Sequence, residues 1–316
     1  MTFRKQTATV LTGTALALTL GAHSASAGFL DSLFSWGDDN QGYTETKHPI
    51  VLVHGLSGFD ELFGFVDYFN GVPGALAEDG AEVYVPQVSA ANSTEVRGEQ
   101  LLAQVQEIVA TTDAEKVNLI GHSHGGPTVR YVAGVAPDLV ASASSVSGVN
   151  WGTPVADAAA SGELDGLGDI VFSIVDGASN GGLPQDTGAA IESLSTAGSI
   201  AFNQDFPAGV PSQYCGNDGA REVNGVRYYS WGGDVVKTNL ADVSDPFLAA
   251  TGTLIDEPND GLVPACSMKL GEVINMGYEL NHLDTVDHLF GLTSRNAADP
   301  VELYRQQANR LKQAGL

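Results

Sequence analysis

Cysteine is scarce. The 316-residue chain has only Cys215 and Cys266, and neither their spacing nor their neighbours suggest a zinc site. Basic residues are also few: 14 Lys and Arg stand against 38 Asp and Glu, a formal net charge of −24. Nucleic-acid binding needs the opposite balance, because phosphates are neutralised by Lys and Arg, so that class is excluded. Beyond the N-terminal region, no apolar run reaches the roughly 18 residues that a membrane-spanning helix requires. What is present is 43% hydrophobic and 16% charged residues, the composition of a globular chain with a sizeable core. Thirty-eight Gly and 13 Pro imply many turns and close backbone approaches, without a collagen-like or linker-like period.

The first 27 residues read as an export signal. Arg4 and Lys5 give a short positive start, an apolar stretch runs from about Val10 to Ala22, and Ala25-Ser26-Ala27 supplies a small-residue cleavage site. An uncleaved anchor is the alternative. Residues 28–316 are then expected to form a single secreted domain. In an oxidising compartment, two cysteines favour one disulfide over two free thiols, and closing a loop of this length is worth about 4 kcal/mol in the chain-entropy model. The segment Gly28–Gly42, with Phe29, Leu30, Leu33, Phe34 and Trp36 among Gly and Asp, reads as an amphipathic arm or a poorly ordered terminus.

From Lys47 the pattern becomes regular. Pro49–Val53 is a fully apolar run that ends in His54-Gly55, as a buried strand feeding a glycine loop would. Glu82–Val85, Val117–Ile120, Leu139–Val146, Arg227–Trp231 and Glu272–Ile274 read as further strands. Glu95–Val109 reads as a helix with Val96, Leu101, Leu102, Val105, Ile108 and Val109 on one side, and Pro127–Val135 as a second helix stopped by Pro137. Strands alternating with helices predict an α/β class, with a mostly parallel central sheet covered by helices on both faces. Within residues 154–190, Leu164, Leu167, Ile170, Val171, Ile174 and Val175 recur at helical spacing.

Gly121-His122-Ser123-His124-Gly125 is a G-x-S-x-G pentapeptide. Alone it is a weak signal in a chain so rich in Gly and Ser. Here it lies between a buried strand and a helix, the setting of a nucleophile elbow, where a sharp turn strains the serine backbone and exposes its hydroxyl. Side chains at 121 and 125 would collide with the neighbouring elements. Ser123 is the candidate nucleophile, and a serine hydroxyl needs a base. Of His48, His54, His122, His124, His282 and His288, only the last two follow the serine as this chain order requires. His282, in a polar loop, is the better base, whereas His288 precedes Leu289-Phe290 and looks structural. Several carboxylates could be the acid: Asp176, Asp234, Asp242, Asp245, Asp256 or Asp260, the last in a turn with Gly261. Two backbone N–H groups, of Leu56 after the first strand and of His124 after the serine, are placed to hold an oxyanion.

With these residues in view, the chain resembles the bacterial family I true lipases of Pseudomonas and Burkholderia type. The resemblance runs from about Tyr43 to the C-terminus in six ordered blocks: PIVLVHGLSGFD (49–60), STEVRGEQLL (93–102), VNLIGHSHGGPTVRYVA (117–133), VNGVRYYSWGG (223–233), NDGLV (259–263) and NHLDTVDHLFGLTS (281–294). It implies an α/β-hydrolase fold with a helical lid over 154–190, formed by the Leu164–Val175 stripe, which otherwise reads as an ordinary core helix. It also implies the triad Ser123, Asp260 and His282, with Arg97 supporting the oxyanion loop. The matching disulfide is Cys215–Cys266. A structural calcium ion is implied near the histidine loop, held by the carboxylates of Asp242 and Asp284 and the main-chain carbonyls of His288 and Leu292. No organic cofactor is implied. The implied partners are the lipid–water interface, a membrane-anchored lipase-specific foldase and the type II secretion system.

The expected activity is therefore hydrolysis of long-chain triacylglycerols through an acyl-enzyme. Its rivals are a carboxylesterase or polyester hydrolase with the same machinery, a cofactor-free haloperoxidase, and a non-catalytic lipid-surface binding protein.

Overall fold

Nine strands order the described residues: β1 (Ile50–Val53), β2 (Glu61–Leu62), β3 (Val66–Asp67), β4 (Val83–Tyr84), β5 (Val117–His122), β6 (Val140–Val146), β7 (Glu222–Val223), β8 (Val226–Gly233) and β9 (Glu272–Tyr278). The computed structural model describes residues 42–56, 61–62, 66–163 and 182–316. The expected export signal, nearly all of the Gly28–Gly42 arm and the Leu164–Val175 stripe lie outside the described residues. β2 and β3 pair antiparallel in a two-stranded sheet. The other seven strands form the central sheet in the order β4-β1-β5-β6-β8-β7, with β9 also on β8. Every pair in it is parallel except β7 with β8.

β1 explains why this sheet needs covering on both sides. All four of its residues are buried, and because strand side chains alternate they enter two different cores. Val51 and Val53 join Leu101, Val105, Val129 and Val132, which come from the helices α2 (Thr94–Thr112) and α3 (Gly125–Val135). Ile50 and Leu52 join Val72, Leu76, Leu303 and Tyr304 on the opposite face. Those residues belong to the helices α1 (Val72–Glu78) and Pro300–Gln313. Each fully buried Val or Leu contributes about 1.5–3 kcal/mol relative to exposure, so neither face of β1 tolerates a polar residue.

α2 starts one residue before the expected Glu95 and runs past Val109: the Ser93 side chain caps it by accepting from the Val96 N–H, and Glu95 sits in the first turn. Its buried face differs from the expected one. Arg97, Leu101, Val105 and Ile108 point inward, while Val96 is 38% exposed. At 3.6 residues per turn, Val96 lies about 140° from Leu101 and Arg97 only about 40°, so the charged residue is carried into the core. The helix Pro300–Gln313 is capped by Asp299, which accepts from the N–H groups of Val301 and Glu302. It is tied to the front of the chain by an Asn309 side-chain bond to the Tyr43 carbonyl, across 266 residues. Just beyond it, the Leu316 carbonyl accepts the Lys47 N–H.

The candidate residues sit where strands end: His54–Leu56 after β1, Ser123 after β5, and Asn281–Asp284 beyond β9. In a parallel sheet the carboxyl ends of the strands share one edge, the usual ligand-binding edge of such folds.

Candidate active site

β5 runs fully buried to His122, and the chain then reverses sharply into α3. The turn places Ser123 at φ +57°, left-handed backbone that costs a non-glycine residue about 1–2 kcal/mol. Hydrogen bonds impose it: the Ser123 N–H donates to the Val146 carbonyl at 2.9 Å, and the Ser123 carbonyl accepts the Gly126 N–H at 3.0 Å. Only glycine fits on either side. A Cβ on Gly121 would lie 2.1 Å from the Gly125 oxygen, and one on Gly125 would lie 2.3 Å from the Val53 oxygen.

His282 and Asp260 meet in a buried pair. His282 Nδ1 lies 2.7 Å from Asp260 Oδ2, with the two side chains 3% and 0% exposed. The other Asp260 oxygen accepts the N–H groups of Leu262 and Val263 at 3.0 and 2.8 Å, and the Asp260 carbonyl accepts the His282 N–H at 2.9 Å. The His282 ring packs 4.7 Å, centre to centre, from that of His122, the residue before Ser123. The remaining acid candidates are elsewhere: Asp256 is exposed, Asp234 lies just past β8, Asp242 and Asp245 belong to the acidic cluster described below, and Asp176 is outside the described residues.

Among the described residues, the backbone N–H groups of Leu56 and His124 find no acceptor. Unpaired backbone donors in a folded interior are rare, and these two flank the serine turn. The loop that carries Leu56 is held by Arg97, itself fully buried. Its Nη2 donates to the His54 carbonyl at 2.6 Å, Nη1 to the Ser89 carbonyl, and Nε to Thr128 Oγ1 at 3.3 Å. No carboxylate pairs with Arg97 among the described residues; main-chain carbonyls take the charge instead. His54 and His124 lie close to this guanidinium and are driven toward the neutral form, first by burial and then by its charge. His54 falls to about 3 and His124 far below the ordinary imidazole range.

Two residues in this region carried no sequence assignment. Tyr68 Oη lies 2.6 Å from His122 Nδ1 and accepts the Gly55 N–H at 2.8 Å, and His122 Nε2 lies 3.0 Å from the His282 carbonyl. His122 could have been suspected from its place in the pentapeptide; nothing in the pattern around Tyr68 singles it out.

Asp242, Asp245 and Asp284 are each at most 9% exposed. Asn281 ties them together: its side-chain amide lies 3.4 Å from Asp242 and 3.1 Å from Asp245, and its N–H donates to Asp284 at 3.1 Å. Burial, followed by repulsion from the other two carboxylates, raises Asp284 to about 6. None of the three is paired with a Lys or Arg among the described residues. Buried, uncompensated, hard oxygen donors are what a calcium ion takes, so the residues present fit that ion. His288 and Leu292, expected to offer carbonyls, lie at the start of the short helix His288–Gly291 and just after it. A second grouping, Cys215 and Cys266 with Glu257, is a different matter: the two sulfurs are joined in a disulfide and supply no thiolate, while Glu257 accepts the Tyr214 hydroxyl.

The geometry agrees with what the chain is similar to. A family model described as the alpha/beta hydrolase fold matches residues 48–169. A triacylglycerol lipase of Vibrio cholerae serotype O1 is 56% identical over 286 residues, covering 87% of this chain and 91% of that protein. One of Pseudomonas fragi is 44% identical over 290 residues, with 86% and 98% covered. One of Burkholderia plantarii is 39% identical over 319 residues, with 87% and 88% covered. Among solved structures, Staphylococcus hyicus lipase superposes with a TM-score of 0.59 at 16% identity, covering 88% of this chain and 98% of that one. The mature lipase of Bacillus licheniformis superposes with a TM-score of 0.57 at 19% identity, covering 80% and 89%. At such identities the superpositions speak for the fold, and the sequence relatives speak for the family: the chain belongs to the triacylglycerol lipases, enzymes that hydrolyse carboxylic esters, on an α/β-hydrolase fold.

Proposed function

We propose that this chain is a secreted lipase that cleaves long-chain triacylglycerols by a Ser123–His282–Asp260 acyl-enzyme mechanism. The observation that carries the reading is the buried 2.7 Å contact between His282 and Asp260, packed beside the turn that holds Ser123 at φ +57°. Asp260 accepts the Nδ1 proton of His282, which leaves the Nε2 lone pair free for the serine proton. Ser123 Oγ attacks the ester carbonyl while His282 takes that proton. The carbonyl oxygen becomes an oxyanion held by the Leu56 and His124 N–H groups, each such donor worth about 3–4 kcal/mol of barrier. As the tetrahedral centre collapses, His282 protonates the departing alcohol. Water, deprotonated by the same imidazole, then releases the fatty acid from Ser123.

The carboxylates of Asp242 and Asp284 would hold calcium, which supplies charge neutralisation under the loop that carries His282. Lid control, export, foldase assistance and the lipid–water interface as the working surface belong to the same proposal and rest on kinship with the lipases above.

The test compares emulsified long-chain triacylglycerol with a soluble short-chain ester. The protein is co-produced with a cognate foldase, assayed in calcium, and run beside Ser123→Ala. A rate that climbs steeply once substrate exceeds its solubility, and vanishes in the variant, is the expected result. Hydrolysis of the soluble ester alone would make the chain an esterase without interfacial preference. Activity surviving in folded Ser123→Ala would overturn the mechanism.

A further inference from the structure

We propose that Tyr68 and His122 are positioning residues, forming a directional hydrogen-bond relay that sets the oxyanion loop, the serine turn and the catalytic base in register. The proposal rests on the triad assigned above and concerns how its parts are held. The relay has three links: Gly55 N–H to Tyr68 Oη at 2.8 Å, Tyr68 Oη to His122 Nδ1 at 2.6 Å, and His122 Nε2 to the His282 carbonyl at 3.0 Å. Its members are buried: Tyr68 is 7% exposed, His122 0% and His282 2%.

The direction of every proton follows from chemistry. A carbonyl oxygen only accepts, so His122 must carry its proton on Nε2. Burial keeps this imidazole neutral, which leaves Nδ1 as an acceptor. Tyr68 must then donate to Nδ1, and its oxygen is free to accept the Gly55 N–H. One tautomer and one hydroxyl orientation satisfy all three links, so the relay has no second arrangement to switch into.

Its end points are what give it a function. Gly55 immediately precedes Leu56, His122 immediately precedes Ser123, and the last acceptor is the main chain of His282 itself. The three parts come from the ends of β1 and β5 and from the loop beyond β9; Arg97 and Thr128 also join the His54 carbonyl to that of His124, and the relay carries the connection on to His282. The segment that carries Tyr68 clamps the same loop a second time. Asn70 donates to the Asp287 carbonyl and carboxylate at 3.1 and 3.0 Å. Acyl transfer requires serine, base and oxyanion donors to be aligned to a fraction of an ångström, and a buried polar chain with all its groups satisfied is a stiff way to hold them.

The decisive variant is Tyr68→Phe, which keeps the ring and deletes the hydroxyl. It is measured on a soluble short-chain ester in calcium, with active sites titrated by a phosphonate, alongside His122→Phe and the double variant. We expect kcat per titrated site to fall about tenfold, the scale of one lost hydrogen bond, with KM within twofold. The double variant should be little worse than either single one, because one broken link already uncouples the relay. A purely structural role would lower the melting temperature and the titratable fraction while leaving kcat per site intact, and that result would overturn the proposal. Independent, multiplying losses in the two single variants would overturn it as well. Should His122→Phe fail to fold, the kcat and KM of Tyr68→Phe decide alone. Ser123→Ala separates the two levels: activity in that variant sinks the triad, whereas a silent Ser123→Ala beside a fully active Tyr68→Phe sinks the relay only.

Discussion

Asp260→Asn is the sharpest probe of the site, because the structure dictates which way the new amide must face. One Asp260 oxygen accepts two backbone N–H groups, of Leu262 and Val263, and the other faces His282 Nδ1 at 2.7 Å. An asparagine has one oxygen. Turning it toward the two N–H donors keeps both bonds; turning the NH2 group there would set donor against donor twice. The NH2 therefore faces His282 and makes Nδ1 an acceptor, which moves the imidazole proton to Nε2. That nitrogen can no longer take the proton of Ser123. The same substitution in serine proteases costs about 10⁴ in kcat, or roughly 5.5 kcal/mol of barrier at 1.36 kcal/mol per decade. The fold should hardly notice, since every hydrogen bond is replaced by another. We expect kcat on a soluble ester to drop by about three to four decades while the melting temperature shifts by only a few degrees. Asp260→Ala, by contrast, leaves two buried N–H groups without an acceptor and should cost stability as well, about 1–3 kcal/mol for each group left unsatisfied. An Asp260→Asn enzyme within tenfold of wild type, with its fold intact, would refute the reasoning.

Arg97→Lys should behave as a severe change, because an ammonium cannot reproduce a fork that spans the His54 and Ser89 carbonyls and Thr128; we expect a loss of about 2–3 kcal/mol in urea unfolding and a parallel fall in kcat. Calcium chelation should lower the melting temperature, since a ligand at 100-fold excess over its Kd stabilises by about 2.7 kcal/mol, and Asp242→Asn should abolish the difference between calcium and chelator. Acid should destabilise the fold before most carboxylates titrate. His54, at about 3, and His124, also lowered well below the ordinary imidazole range by burial and by Arg97, stay neutral in the folded protein while the unfolded chain binds protons near pH 6.5. Stability is thus complete above that pH and falls below it, by about 2 kcal/mol per histidine at pH 5. Asp287, raised to about 6 chiefly by burial, works in the opposite direction, but the buried His122 adds to the loss, so urea unfolding in saturating calcium should show a net loss of several kcal/mol between pH 7.5 and pH 5. A flat profile would contradict the assignment of buried neutral histidines.

Much of this architecture is legible in the sequence because its causes are local. The all-apolar run of β1 and the strand–turn–helix around Ser123 are written in consecutive residues. Chain order narrows the base to His282 or His288. The acid is not local: six aspartates compete until kinship selects among them, and what unites Asp260 with His282 is a contact across 22 residues. Val96 left the expected inner side because an apolar count ignores its place about 140° round the helix from Leu101, and Arg97 can be buried there because carbonyls surround its guanidinium. Tyr68 was invisible for a related reason: its partners lie 13 and 54 residues away, and no periodicity encodes them. The third carboxylate of the acidic cluster, Asp245, was seen only as a possible triad acid.

The helix Pro300–Gln313 lies on the Ile50 and Leu52 face of the first long strand. Ribosomes deliver these two partners in reverse order of need. The helix Val72–Glu78 covers part of that side of the sheet early, but the part that Leu303, Tyr304 and Ala308 fill stays bare until almost the whole chain has followed. Contacts so distant in sequence are slow to form, and the waiting intermediate is prone to aggregate. A chain built this way should respond poorly to deletions or bulky tags near Leu316, whose carbonyl is bonded to the Lys47 N–H.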